Sequence, residues 1–190
     1  MNAAVSADVI ARLKAVLGEG GFSEDPARLA PKLLEWRDRW SGRTPLLVLP
    51  KSTAEVSAVV GVCAEAGAPI TPQGGNTGLV GGQIPMGEIL LSLDRMRAIR
   101  GVEPLDDALI VEAGAPLVAV QEAARAAGRL FPLSLASEGS ATIGGLISTN
   151  AGGTAVLRYG NMRELVLGLE AVLPNGEIFS ALRSLRKDNT

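Results

Sequence analysis

Pro72-Gln73-Gly74-Gly75-Asn76-Thr77-Gly78-Leu79-Val80-Gly81-Gly82 is the stretch on which the fold and the chemistry turn. Five of the nine residues from 74 to 82 are glycine, so the Cβ atoms that block positive φ and close ligand approach are missing. Successive N–H groups of such a segment can converge into a concave nest for phosphate oxygens. Asn76 and Thr77 add neutral donors, and a pyrophosphate is the ligand the stretch suits best. Glycines at 74, 75, 78, 81 and 82 never give the i, i+2, i+5 spacing of the dinucleotide fingerprint, and no Gly-Lys-Ser/Thr follows. Pro85 and Gly87 prevent a helix from opening directly after it. Taken alone, the stretch also fits a tight turn or a lid.

Working outward, residues 6–17 predict a helix with Ser6 as N-cap and Gly18 just past its end. Residues 27–40 read as partly helical, broken by Pro31. Leu46–Leu49 is a buried-type strand. Ser52 and Glu55 form a capping box that opens a helix to about Ala66, stopped by Gly67. Short strands follow at Pro69–Thr71, Ile89–Leu93 and Ala108–Glu112, and a helix at Pro116–Ala127 with proline as its first residue. Leu165–Leu173 and Ile178–Ala181 flank Asn175-Gly176, a type I′ hairpin signal. The expected organisation is a helical segment over residues 1–40 and an α+β domain over 41–190. That domain has a small β-α-β lobe (about 41–100) and a mixed, largely antiparallel lobe (about 101–190).

A second glycine-bearing stretch runs Ser137-Glu138-Gly139-Ser140-Ala141-Thr142-Ile143-Gly144-Gly145-Leu146-Ile147-Ser148-Thr149-Asn150-Ala151-Gly152-Gly153. Small residues and hydroxyls with hardly any charge let a flat ring lie against the backbone. Thr142 is placed to cap a short helix over 143–148 and aim its N-terminus at an anion. A Ser/Thr-rich connection packed on the core is the plainer alternative. Together the two stretches are most economically explained by a dinucleotide with two phosphates and a planar ring.

Composition removes other chemistries. Among 190 residues there is no histidine and one cysteine, which takes away the commonest general base and any in-chain disulfide, zinc cluster or iron–sulfur centre. Eighteen basic against 20 acidic side chains, with no basic block, argue against nucleic acid as a partner. No apolar run reaches the about 20 residues needed to span a membrane. The start of the chain has no charged n-region, so a cytoplasmic location is expected.

Pro72–Gly82, Pro132–Gly153 with its Ile143-Gly144-Gly145 and Thr149-Asn150-Ala151-Gly152-Gly153, Arg158-Tyr159-Gly160 and Leu182–Thr190 resemble the FAD-linked oxidases of the vanillyl-alcohol-oxidase or p-cresol-methylhydroxylase (PCMH) type. Within them the likeness is to the D-2-hydroxyglutarate and D-lactate dehydrogenase branch, from about Trp36 onward. The resemblance implies a PCMH-type FAD-binding domain with non-covalent FAD between its lobes. Pro72 to Gly82 (Pro72, Gln73, Gly74, Gly75, Asn76, Thr77, Gly78, Leu79, Gly81, Gly82) would wrap the pyrophosphate. Ser140, Thr142, Ile143, Gly144 and Gly145 would line pyrophosphate and flavin, with Asn150, Gly152 and Gly153 near the ring.

It also implies hydride transfer from C2 of a D-2-hydroxy acid to flavin N5. Family members continue past the position of Thr190 and carry their metal-binding histidines, base and substrate-binding groups there. The expectation is therefore an FAD-domain piece, inactive alone, whose parent uses a 2-hydroxy-acid substrate, an electron acceptor and a divalent metal held by that other half. The parent can form a homodimer. A non-catalytic nucleotide- or FAD-binding module is the competing class.

Other residues have plainer readings. Cys63 is expected to be a buried structural thiol. Trp36 and Trp40, four apart, are expected to pack in a core against the neighbouring lobe. Asp106-Asp107 reads as a solvated turn, and Glu138 is given no catalytic role. Arg158 and Arg163 read equally as phosphate countercharges and as surface salt-bridge partners.

Overall fold

The computed structural model describes residues 5–184. The chain divides into two compact units, Met1–Arg95 with Ala171–Ile178, and Met96–Glu170 with Phe179–Thr190. The Arg186-Lys187-Asp188 end of the last quoted motif lies outside the described residues.

The first unit opens with α1 (Ala7–Leu17), where the Ser6 hydroxyl accepts the Val9 N–H and Gly18 closes the helix. It continues through β1 (Phe22–Ser23), α2 (Pro26–Leu33), β2 (Leu47–Val48), α3 (Thr53–Ala66), β3 (Ile70–Gln73) and β4 (Ile89–Ser92). Ser52 caps α3 by accepting the Glu55 N–H at 3.2 Å, while the Glu55 carboxylate takes the Lys51 N–H at 2.8 Å. The reciprocal arm of the box therefore lands one residue earlier than the motif implies. The sheet order is β1-β2-β4-β3; β4 lies parallel to both neighbours, and β1 runs antiparallel to β2.

Period-2 alternation decides which helix covers which face. Leu46, Val48, Ile89 and Leu91 share one cluster with Val9, Leu13 and Leu17 of α1 and Val59 and Cys63 of α3. Leu47, Leu49 and Leu90 face the other way, against Leu29 and Leu33 of α2. The Cys63 thiol is buried, and that burial pushes its pKa up to about 11 against a weak opposing pull from Arg12. It is a packing residue.

The second unit contains β5 (Ile99–Glu103), β6 (Ala108–Val111), α4 (Leu117–Ala126), α5 (Ile143–Ser148), α6 (Val156–Tyr159) and α7 (Met162–Leu165). β5 and β6 pair antiparallel with an irregularity between Ile99 and Gly101. Pro116 is the N-cap of α4 rather than its first residue, extended at ψ 146° with its carbonyl accepting from Ala119. Leu117, Val120, Leu133, Ala141, Ile143, Leu146 and Met162 form the core. Asp107 stands at φ +50° and is ion-paired to Arg129.

The hairpin of β7 (Leu169–Val172) and β8 (Ile178–Ala181) is present, with a different turn from the one Asn-Gly predicts. Gly176 donates its N–H to Leu173 O and holds φ +88°, while Asn175 has no positive φ. Pro174 locks negative φ at the first central position, so the turn becomes the three-residue form with glycine left-handed. No helix among the described residues is long and apolar enough to cross a membrane.

Candidate functional site

The glycine stretch after β3 leaves the carboxyl end of a parallel strand, where open sheets of this kind place their ligands. Gln73 sets its start. This side chain is 2% exposed and its Nε2 donates to Lys32 O at 2.9 Å and Gln83 O at 3.0 Å, whereas its Oε1 has no partner. Asn76 stands at φ +54°, a conformation asparagine tolerates better than most residues. Its Nδ2 donates to Pro31 O and Leu34 O at 3.2 and 2.9 Å. Gln83 Nε2 reaches back into the loop, to Asn76 Oδ1 at 3.2 Å and Gly78 O at 2.8 Å. Three amide side chains thus sew the loop shut and tie it to the end of α2.

A strap of residues 34–41 completes the support. α2 stops at Leu33 because Leu34 is extended, and a Leu34–Ser41 bridge closes a turn with Asp38 at φ +58°. Trp36 and Trp40 are consequently not core residues, being 65% and 43% exposed. Their four-residue spacing never lies on a helix face. Trp40 covers Gly81 instead; a Cβ there, already strained at φ +77°, would come within 2.6 Å of the indole.

Arg37 Nη2 donates to Leu79 O at 2.5 Å, and its Nε donates to Glu35 at 3.0 Å. Glu35 is fully buried, yet its pKa is lowered. Burial works to raise it and is outweighed by the Arg37 side-chain bond, the Arg39 and Arg37 N–H groups, and the Arg37 charge.

The result is that part of the loop's carbonyl set is taken up from outside. Carbonyls of Gly78, Leu79, Gly81 and Gln83 are all engaged, by Gln83, Arg37, Ile84 N–H and Gln73. Among the described residues no backbone N–H from Gly74 through Gln83 donates a hydrogen bond. A run of undonated N–H groups is what a pyrophosphate requires, and the loop fits that group.

The stretch in the second unit is spent differently. Thr142 does sit at the N-cap of α5, but its hydroxyl makes no cap bond and, at 8% residue exposure, is buried without a partner. The first N–H groups of α5 are already used: Ile143 donates to Ala115 O at 3.0 Å and Gly144 to Ala113 O at 2.8 Å. The expected anion site at this helix start therefore loses two of its donors. A Cβ at Gly144 would meet the Ala113 Cβ at 2.7 Å, and one at Gly153 would meet Ser134 O at 2.4 Å.

Asn150, at φ +48°, accepts the Arg163 N–H through Oδ1, and Gly152 lies beside Asn161. Ser140 and Gly145 line the outer side of the turn, Ser140 donating its N–H to Ser137 O. Glu138 stays ionised, its pKa lowered by Ser134 and Gln121 side chains and the Leu135 N–H against burial, and it braces the 134–138 turn. A cavity of about 490 Å³ opens beside it, bounded by Gln121, Arg125, Phe131, Ser134 and Tyr159. The Arg158 guanidinium stacks 5.2 Å from the Tyr159 ring.

Glu35, Arg37 as a loop ligand, and Gln83 were not foreseen from sequence as parts of this site. The available signals were a carboxylate inside an apolar run and a glutamine directly after the last glycine.

A family profile described as FAD binding domain matches residues 44–181. The chain is 41% identical over 187 residues to a probable mitochondrial D-2-hydroxyglutarate dehydrogenase of Oryza sativa subsp. indica, covering 98% of this chain and 34% of that protein. It is also 41% identical to the mitochondrial D-2-hydroxyglutarate dehydrogenase of Bos taurus, with the same two coverages. The chain thus spans about a third of the length of the curated relatives it matches. These mitochondrial names, shared by the Arabidopsis thaliana relative, overturn the cytoplasmic expectation and point to mitochondria.

Among solved structures, alkyldihydroxyacetonephosphate synthase superposes with a TM-score of 0.84 at 19% identity, over 94% of this chain and 34% of that one. p-Cresol methylhydroxylase superposes with a TM-score of 0.71 at 21% identity, over 90% and 34%. Matched across most of its length, the chain belongs to the FAD-binding domain family, has the fold of a PCMH-type FAD-binding domain, and its cofactor is FAD.

Proposed function

We propose that this chain is the FAD-binding portion of a dehydrogenase that oxidises a D-2-hydroxy acid to the 2-oxo acid, D-2-hydroxyglutarate before D-lactate. The coarser statement, an FAD-binding domain of a D-2-hydroxyglutarate-dehydrogenase-like protein, rests on the relatives. The finer one is supported by their names, and the flavin part of it by one observation in this chain: no backbone N–H from Gly74 to Gln83 donates among the described residues.

In this reading Pro72–Gly82 holds the pyrophosphate by backbone donation, with Asn76 and Gln73 fixing the loop rather than touching the phosphates. On the second unit Ser140 and Gly145 present polar groups to the cofactor, with Thr142 buried behind them at the N-cap of α5. Ile143, Gly144, Asn150, Gly152 and Gly153 shape the backbone that carries them. The two units act as the two lobes of the domain. FAD, when bound, would supply the hydride-accepting chemistry for oxidation of the 2-hydroxy acid. The substrate-binding groups, the proton acceptor, any divalent metal and the docking face for an electron acceptor belong to the remainder of the parent, which can act as a homodimer.

The test is a visible-absorbance titration of the 190-residue chain with FAD followed by dialysis. Retained flavin bands that are lost in Asn76→Ala support the reading. A chain that stays colourless, together with a full-length parent that is also colourless, removes it. Turnover of D-2-hydroxyglutarate against D-lactate by that parent then decides the substrate.

A further inference from the structure

Two side chains from outside the glycine run hold its carbonyls. Gln83 Nε2 engages Gly78 O at 2.8 Å, and Arg37 Nη2 engages Leu79 O at 2.5 Å. Neither carbonyl has another donor among the described residues, so without these side chains both lone-pair sets are free to turn toward a bound anion and repel it. Each holding group is itself fixed. Gln83 is locked between Asn76 Oδ1 and Gly78, so closely that a Cβ at Gly78 would lie 2.6 Å from Gln83 Oε1. Its backbone carbonyl is pinned by the buried Gln73 amide. Arg37 is oriented by Glu35, which is fully buried and accepts from the Arg37 and Arg39 N–H groups as well. A rotamer held by a second partner positions a group far better than a free one.

We propose that Gln83 and the Glu35–Arg37 pair are positioning residues that hold the Gly78 and Leu79 carbonyls back from a diphosphate bound by the N–H groups of the loop. This rests on the FAD reading for the identity of the ligand, and it adds a role that the glycines alone do not explain. The loop from Gly74 to Gln83 carries no lysine or arginine of its own, so the orientation of its backbone dipoles bears directly on a bound anion.

The experiment titrates inorganic pyrophosphate and, separately, FAD into the 190-residue chain. Binding is followed by calorimetry and by backbone amide NMR. The variants are Gln83→Leu, which keeps bulk and removes the donor, and Glu35→Gln combined with Arg37→Met, which leaves no unpaired buried charge.

In the wild type, pyrophosphate shifts the amides of residues 74–83. In either variant its affinity falls about tenfold, the loss expected for misdirecting a charge-assisted contact, while the rest of the spectrum stays dispersed and unmoved. A simple stability role does not produce that selective pattern. Unchanged pyrophosphate affinity in both variants overturns the proposal and leaves the FAD reading standing. So does FAD binding by the wild type without pyrophosphate-induced shifts in the loop. A spectrum that collapses in both variants assigns these residues to the fold alone and also overturns it. A wild type that binds neither probe overturns the proposal for this chain, and the FAD reading then falls only if the full-length parent is colourless as well.

Discussion

Between Gly74 and Gln83 four carbonyls, those of Gly78, Leu79, Gly81 and Gln83, are taken up by neighbours and, among the described residues, no backbone N–H donates. Between Ala141 and Gly153 the leading N–H groups are tied to Ala113 and Ala115, and the glycines serve close backbone contacts. The two stretches have similar composition and opposite use. Glycine in the first permits a left-handed backbone under Trp40, and glycine in the second lets chain segments touch without a Cβ between them. What separates a ligand loop from a packing loop is therefore where its carbonyls go, and that depends on residues outside the loop.

The contrast can be broken most forcefully at Gly153. Gly153→Ala drives a Cβ to 2.4 Å from Ser134 O, and a stability loss of about 3 kcal/mol is expected, measured by denaturant unfolding. A loss below about 0.5 kcal/mol would mean that Gly153 is not held in a close backbone contact.

Glu35 provides the next test. Its folded pKa lies below the ordinary 4.5, so its contribution is present above that value and is lost as pH falls through the lower folded value. Melting temperature measured from pH 6 to 3 should drop less steeply in Glu35→Gln than in the wild type, with the variant already less stable at neutral pH. Parallel profiles would sink the idea that the strap holds an ionised carboxylate.

Thr142→Val removes a buried hydroxyl that has no partner. Stability should rise by about 1 kcal/mol, because an unpaid desolvation cost disappears. If the hydroxyl serves the cofactor, FAD retention falls in the same variant. The smallest expected effect is at Gly82, where a Cβ meets open space and φ is not left-handed. Gly82→Ala should leave unfolding within about 0.5 kcal/mol of wild type, so any loss of FAD binding there reports on the ligand side of the loop.

Much of this was readable in the sequence because local rules decide it. Ser6, Gly18, Ser52 and Gly67 mark helix ends through bonds made within a few residues, and the structure places α1 and α3 between them. The alternation Leu46 to Leu49 assigns faces to a strand without further information. The glycine loop was recognisable from its missing side chains.

What was not readable depends on chain reversal. Trp36 and Trp40 look helical by spacing, and only the extended Leu34 and left-handed Asp38 put them on a surface strap. Thr142 looks like a cap over open donors, but segment 113–115 reaches those donors first from thirty residues upstream. Asn175-Gly176 suggested a two-residue turn until Pro174 shifted it by one. The role of Gln83 is likewise tertiary, because it is defined by a carbonyl and an amide that the loop brings to it.

Strand β4 lies between β2 and β3, parallel to both, although it is the last of the three along the chain. In a nascent polypeptide β2, α3 and β3 are therefore synthesised before the strand that fills the lane between β2 and β3. Until Ile89–Ser92 arrives, that lane has two unpaired inner edges, and Leu47 and Val48 stand beside it. Open edges of this kind template association with other chains. The glycine stretch is the tether that carries β4 into the lane, and its length fixes how long the gap persists during synthesis. Stiffening it to hold a cofactor more tightly would then be penalised in the yield of folded chains before it was rewarded in binding.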